Sequence, residues 1–277
     1  MGSWGIIEMG APLVPRSTQI FLFLRPWVLP VLLLTLLEWA ARTLAPDSDA
    51  VAPPSRAFLA FGQALMVSSE EGVLRASLFT LGSAAAGLLI GLVLGVGLGT
   101  VLGLSKRAAS MGFLTIEVLR PIPSVALIPL SMMVFGFGFR MEISVVAFAT
   151  FWPMLILTQA AARQVEPGLI EVALALELSP WARMTKVVLP AMLARLLVAL
   201  RLGVAIALVV AVTVEVAANP YGMGYALMIA QQSLAPDLML AWLVWIGVVG
   251  YGINVLMLRL QHALSRRMGE IPQAQRA

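Results

Sequence analysis

Chemistry in a protein needs polar side chains held at fixed spacing, and this sequence has few of them. Its most ordered set is one segment, Glu171-Val172-Ala173-Leu174-Ala175-Leu176-Glu177-Leu178-Ser179-Pro180, followed by Val187-Val188-Leu189-Pro190. Pro167-Gly168 opens the segment. Leu169, Ile170, Val172, Ala173, Leu174, Leu176 and Leu178 then give a short, mostly apolar helix with Glu171 and Glu177 as its charged points. Ser179 is placed to cap a second helix and Pro180 to occupy its first position. Leu189-Pro190 is expected to turn the chain back toward the next apolar run. A short helix that shows this many apolar side chains to water is unstable alone. The chemistry it points to is recognition, by burial in a groove of a partner. The alternative is a helix lying on a membrane surface or against the protein's own bundle.

Bond-making chemistry has little support. There is no cysteine, which removes disulfides, thiolate metal sites and cysteine nucleophiles. His262 is the single histidine and has no companions of ligand type; it reads as an interfacial or helix C-terminal group. No segment has the Gly-x-x-x-x-Gly-Lys-Ser/Thr form of a phosphate-binding loop, so the chain is not expected to hydrolyse ATP. We assign no catalytic residue and no metal site.

The elements around these residues are built for lipid. The 277-residue chain is 60% hydrophobic and 12% charged, against about 25% charged in a soluble domain. Runs of about 20 apolar residues recur, and they are continuous rather than alternating, which selects helices over a barrel. The expected fold is an all-α membrane protein of about six transmembrane helices. The spans are Trp27–Leu44, Ser77–Leu104, Val118–Phe137, Ile143–Ala162, Leu196–Ala218 and Leu238–Leu258, with a short amphipathic piece at Phe58–Val67. Arg140 and Glu142 mark a turn between spans. With both termini inside, the inner side collects Arg16, Arg25, Lys106, Arg107, Arg163, Arg183, Lys186, Arg195, Arg259, Arg266, Arg267 and Arg276. The outer side has only Arg42, Arg56, Arg75 and Arg140. That imbalance has the sign of the positive-inside rule and places the loop 163–195 in the cytoplasm. The basic residues flank spans and form no patch, so nucleic acid is not an expected partner. Leu13-Val14-Pro15-Arg16 resembles a protease-cleavage linker, and the N-terminal tail 1–24 is given no functional weight.

Inside the spans a few features stand out. Ser83, Gly87, Gly91, Gly95, Gly99 and Gly103 recur every fourth residue and keep small groups on one helix face. Such a face admits another helix closely, either within the chain or across a subunit boundary. Leu119-Arg120-Pro121-Ile122-Pro123-Ser124-Val125-Ala126-Leu127-Ile128-Pro129 removes backbone donors in the middle of a run. The freed carbonyls need protein or a wet cavity around them, so Pro121 and Pro123 either line a transport path or form a packed kink. Glu215 lies within an apolar run, where an acid faces an interior, a cavity or an interface. Glu38 has Arg42 one turn on as a local partner, and Arg201 is expected to snorkel toward the inner surface. Trp152, Thr158, Gln159 and Glu215 join the two prolines as candidate path residues.

Glu171-Val172-Ala173 with Leu189-Pro190 resembles the EAA motif of permease subunits in binding-protein-dependent ABC importers: Glu-Ala-Ala, a Gly, then Leu-Pro. Val51-Ala52-Pro53-Pro54-Ser55, Leu119-Arg120-Pro121-Ile122-Pro123, Phe135-Gly136-Phe137-Gly138 and Tyr221-Gly222-Met223-Gly224-Tyr225 are similar to segments of its nitrate/sulfonate/taurine branch. The likeness covers about residues 25–268. It implies a type I ABC importer permease fold with a permease domain at 25–268, a coupling loop at 163–195 and a C-terminal tail at 269–277. It also implies a multi-pass protein of the bacterial inner membrane that imports a small anion of the nitrate, sulfonate, taurine or aromatic carboxylate type. The implied partners are two ATPase subunits, a second copy of the chain, an extracytoplasmic substrate-binding protein and lipid. No cofactor belongs to this chain; ATP and Mg belong to the ATPase subunits. The implied ATPase-coupling residues are Glu171, Val172, Ala173, Leu176, Glu177, Ser179, Leu189 and Pro190. Two positions depart from the motif: Val172 stands for Ala and Glu177 for Gly. A left-handed turn costs a non-glycine residue about 1 kcal/mol or more, so the reversal is expected at Ser179-Pro180 instead. The contrasting expectation is a secondary transporter or channel that works without an ATPase.

Overall fold

The structure is a computed structural model that describes residues 16–44, 53–66 and 72–267. The tails 1–15 and 268–277, and the loop with Pro46, Asp47 and Asp49, lie outside the described residues. In chain order the helices are α1 (Arg16–Leu44), α2 (Pro54–Met66), α3 (Val73–Leu104), α4 (Lys106–Leu119) and α5 (Ile128–Phe135). They continue with α6 (Phe139–Arg163), α7 (Pro167–Ala175), α8 (Pro180–Arg183), α9 (Leu189–Ala217), α10 (Gly222–Gln232) and α11 (Pro236–Arg267). A 3-10 turn covers Ser124–Leu127 and a π-helical turn covers Met184–Val188. No strand occurs among the described residues.

Among the described residues, four stretches are long and apolar enough to cross a bilayer: Val73–Leu104, Phe139–Arg163, Pro180–Ala217 and Pro236–Leu264. A fifth candidate is the pair Lys106–Leu119 and Ser124–Phe135, bent by 80° at its break. This corrects the expected third span at Val118–Phe137. Ser105 caps a helix that begins at Lys106, its Oγ accepting from the Ala108 N–H at 3.2 Å. Arg120-Pro121 therefore ends one helix rather than beginning another. Between Asn219 and α11 the chain also forms α10, which is not among the expected elements.

The centre of the bundle is the contact of α3 with α6. The pairs Ser83/Glu142, Gly87/Val146, Gly91/Thr150, Gly95/Met154, Gly99/Thr158 and Gly103/Ala162 share one sequence offset of 59. A constant offset with both numbers rising means that the two helices run parallel, with four-residue ridges interdigitated. A methyl group added to Gly87 would lie 2.6 Å from Val146 Cβ, and one added to Gly95 would lie 2.6 Å from Met154 Cβ. The small-residue stripe thus packs within the chain. α9 lies across the pair at Gly203, where an added methyl would sit 2.9 Å from Met154 Cε and 3.0 Å from Leu88 Cδ1.

At the end of the bundle where α6 begins and α9 ends, the polar groups converge. Glu142 and Glu215 are completely buried. Glu142 accepts from the Ser83 hydroxyl and from Asn219 Nδ2 at 2.5 Å. Glu215 accepts from Thr80 Oγ1 at 2.6 Å and from the Gly224 N–H at 2.8 Å. Thr80 Oγ1 in turn accepts from the Met223 N–H at 2.9 Å. Glu142 was read as marking a turn. It lies one turn inside α6, because that helix starts at Phe139 rather than Ile143.

Gly95→Leu is expected to keep α3 and α6 apart, because the obstructing atoms include backbone. The loss should be about 3 kcal/mol, at the upper end for overpacking. Thermal unfolding in detergent measures it, and an unchanged melting temperature would refute the close approach.

Candidate functional site

Two places can do something beyond holding the bundle. The first is α7. Ala173 is buried, and Ile170 is half-buried and packs on the cluster of Ala161, Ala162, Val165, Val188 and Met192 where α6 ends and α9 begins. The rest of the helix faces outward: Leu169, Val172, Leu174 and Leu176 are exposed, with Trp181 beyond them at 76% exposure. Glu171 and Glu177 are exposed as well. One side of α7 is therefore anchored, and an apolar surface with two carboxylates is left open.

The C-terminus of α7 corrects the sequence expectation. The reversal is not displaced to Ser179-Pro180. Glu177 itself adopts φ 51°. The Leu178 N–H bonds the Ala173 carbonyl at 3.1 Å and the Glu177 N–H bonds the Leu174 carbonyl at 2.9 Å. This is the Schellman closure that a glycine normally completes. Arg183 Nη2 reaches the Leu178 carbonyl at 3.5 Å and braces the turn. Ser179 then caps α8, accepting from the Ala182 N–H at 3.2 Å with Pro180 behind it, as its sequence indicates.

Leu189-Pro190 makes no turn. The helix runs on from Pro180 to Ala217. Pro190 has no N–H to offer the preceding turn, and the chain meets that loss with wider π-type spacing over Met184–Val188.

The second place is an open-sided cavity of about 440 Å³ beside the middle of α6 and α9. Its walls are Phe148, Trp152 and Ile156 from α6, Leu202, Ile206 and Val210 from α9, and Arg120, Ile122 and Ser124 from the break after α4. Pro121 and Pro123 are exposed beside Ile122 at this break. Trp152 is almost fully buried, with its ring edge-on to Phe148 (5.6 Å) and Phe151 (4.8 Å). Its indole N–H has no acceptor among the described residues.

The other candidate path residues lie elsewhere. Thr158 is completely buried against Gly99 of α3, and the Gln159 carbonyl abuts Gly103. Glu215 is enclosed among α3, α9 and α10, where it caps the start of α10. Arg201 does not snorkel: its Nε donates to Asn254 Oδ1 of α11 at 3.1 Å. Glu38 pairs with Arg42 at 2.6 Å and accepts from Ser55, as the one-turn spacing suggested. Arg120, Glu142 and Asn219 were missed. Arg120 is the single charge in a run of apolar residues and prolines, and that isolation was its signal.

Comparison with known proteins adds an independent result. Residues 87–270 match the family model for the binding-protein-dependent transport system inner membrane component. A Bacillus subtilis protein named as an aliphatic sulfonates transport permease is 31% identical over 71% of this chain and 70% of its own. The taurine transport system permease protein of Escherichia coli is 28% identical over 84% of this chain and 86% of its own. Among solved structures, the inward-facing MetNI methionine ABC transporter superposes with a TM-score of 0.61 at 20% identity, covering 69% of this chain and 95% of that one.

Glu177→Gly should relieve the left-handed strain and stabilise the end of α7 by about 1 kcal/mol. Hydrogen exchange at the Glu177 and Leu178 amides reads this locally. Faster exchange in the variant would show that the glutamate side chain itself holds the turn.

Proposed function

Because this chain belongs to the binding-protein-dependent transport system inner membrane component family, we propose that α7 is the element through which its ATPase partner drives it. The chain is the membrane permease of an ATP-driven importer, and ATP is bound and hydrolysed by partner subunits. The observation that carries the reading is the state of α7: anchored through Ala173 and Ile170, yet showing Val172, Leu174, Leu176 and Trp181 to solvent. An apolar helix seated in a partner's groove transmits movement as a rigid body. Glu171 and Glu177 supply charge at the edge of that contact, and Ser179 fixes the angle at which the chain leaves it.

In this reading two ATPase subunits dock on two copies of the permease. α7 and both termini face the cytoplasm, and a binding protein delivers substrate from the other side. The distribution of Lys and Arg supports that orientation. The named substrates of the sulfonate and taurine relatives support a small anion as cargo. The binding protein makes the first selection of that cargo.

The test is co-expression with the ATPase encoded alongside, purification in detergent, and transport in vesicles. The two should elute together. Glu171→Lys should leave the chain inserted and lower uptake per ATP hydrolysed by about tenfold, the scale of losing a charge-assisted contact. Normal coupling in that variant would remove Glu171 from the docking contact. Separate elution of a folded permease would overturn the reading.

A further inference from the structure

Arg120 is exposed and lies on the open side of the bundle, level with the middle of α6 and α9. It lines the same cavity as Trp152 and Ile156, central in α6, and Leu202 and Ile206, central in α9. A charged side chain at such depth is costly and marks a functional site by default, one that faces a cavity and finds a counter-charge there. The C-terminal carbonyls of α4, which Arg120 caps, supply roughly half a negative charge. No carboxylate pairs with it among the described residues, and no acidic residue lines the cavity. The one other polar group the wall presents is the Ser124 hydroxyl; the Trp152 indole N–H is buried behind its ring. All else is apolar: Ile122, Phe148, Ile156, Leu202, Ile206 and Val210. A wall with one cation, a hydroxyl and no anion has the electrostatics of an anion site.

We propose that this cavity is a substrate site within the permease itself, taking an organic anion with one charged head, sulfonate or carboxylate, and a compact apolar body. The head meets Arg120, and the body lies against Phe148, Trp152 and Ile206. Size and lining select this class. An apolar cavity of about 150 Å³ is enough for benzene, and this one has about 440 Å³. A bare inorganic anion would satisfy Arg120 but leave most of the apolar wall without contacts. The guanidinium fork suits the planar carboxylate and the trigonal face of a sulfonate, and Lys reproduces its charge but not its fork. The site deepens the permease reading and rests on it: a site at mid-depth is where a carrier opening alternately to each side holds its cargo.

The experiment is equilibrium binding of radiolabelled benzenesulfonate to the permease–ATPase complex in nanodiscs, with no binding protein present. Saturable binding is expected, displaced by benzoate more readily than by nitrate. Arg120→Gln should weaken it by about tenfold or more, the usual loss for a hydrogen bond to a charged group. Arg120→Lys should keep part of it. Ile206→Trp, which fills the cavity from α9 and leaves Arg120 in place, should abolish it even if the Arg120 variants fail to fold. Equal uptake of label by wild type and Ile206→Trp would mean partition into lipid and would overturn the proposal. So would the absence of saturable binding in a complex that co-elutes and hydrolyses ATP. Failure to co-elute at all would instead count against the permease reading, while binding to the permease alone in nanodiscs still decides the site.

Discussion

In hydrocarbon there is no water to satisfy a polar group, so every donor and acceptor that the chain places there must find its partner within the protein. This constraint explains where the hydroxyls of the spans go. Ser77, Thr100 and Thr150 each return a hydrogen bond to the carbonyl one turn earlier in their own helix. It also explains the two buried carboxylates. α10 begins inside the packed end of the bundle, and its first N–H groups have no intrahelical acceptor. Glu215 and Thr80 take two of them, at Gly224 and Met223. Gly222, at φ 93°, and Gly224 are required because any side chain there would run into Glu215. The acid, the hydroxyl and the two glycines form one structural unit spread over three helices.

The same constraint shapes the break after α4. Pro121 and Pro123 withhold two N–H groups from any continuing helix, so the carbonyls they leave free have to face protein or a wet space. The break faces the open-sided cavity, next to the one charge of that region. At the other end of the bundle, α7 rests on the junction of α6 and α9, and the helix from Pro180 runs on to Glu215 near its far end. The end of the bundle that carries α7 and the carboxylate cluster are therefore linked by one element. Along that element the cavity wall at Leu202 and Ile206 lies between α7 and the cluster.

Much of this was legible in the residues. Continuous apolar runs gave the helical membrane class, and the Pro167–Pro190 segment announced a short helix with an open apolar face. Ser179 followed capping chemistry, because capping is local. What failed was information carried by distant partners. The glycine stripe announced a close neighbour but could not name α6. Arg201 looked like a snorkelling cation because nothing near it in sequence reveals Asn254, 53 residues away. Glu142 was placed outside its span because a charge so near a helix start usually faces water; Ser83 and Asn219, which make its burial tolerable, come from other helices. Glu177 was expected to avoid the left-handed region on intrinsic cost. The closure at Ala173 and Leu174, braced by Arg183, outweighs that cost.

The α3–α6 seam has a repeat of four on both sides, and a seam with near-identical steps does not by itself say which step meets which. Sliding α6 by one turn along α3, about 5.4 Å, would again bring each glycine opposite a residue of the same row. What removes the degeneracy is the odd member of the series. In the slipped alignments Glu142 would face Gly87 or Phe79 instead of Ser83, losing a hydrogen-bond donor and moving away from Asn219. The buried acid thus acts as an indexing pin: it makes one of several nearly equivalent packings the native one, and a ratcheting motion of these two helices is closed to this protein while Ser83 and Glu142 remain paired.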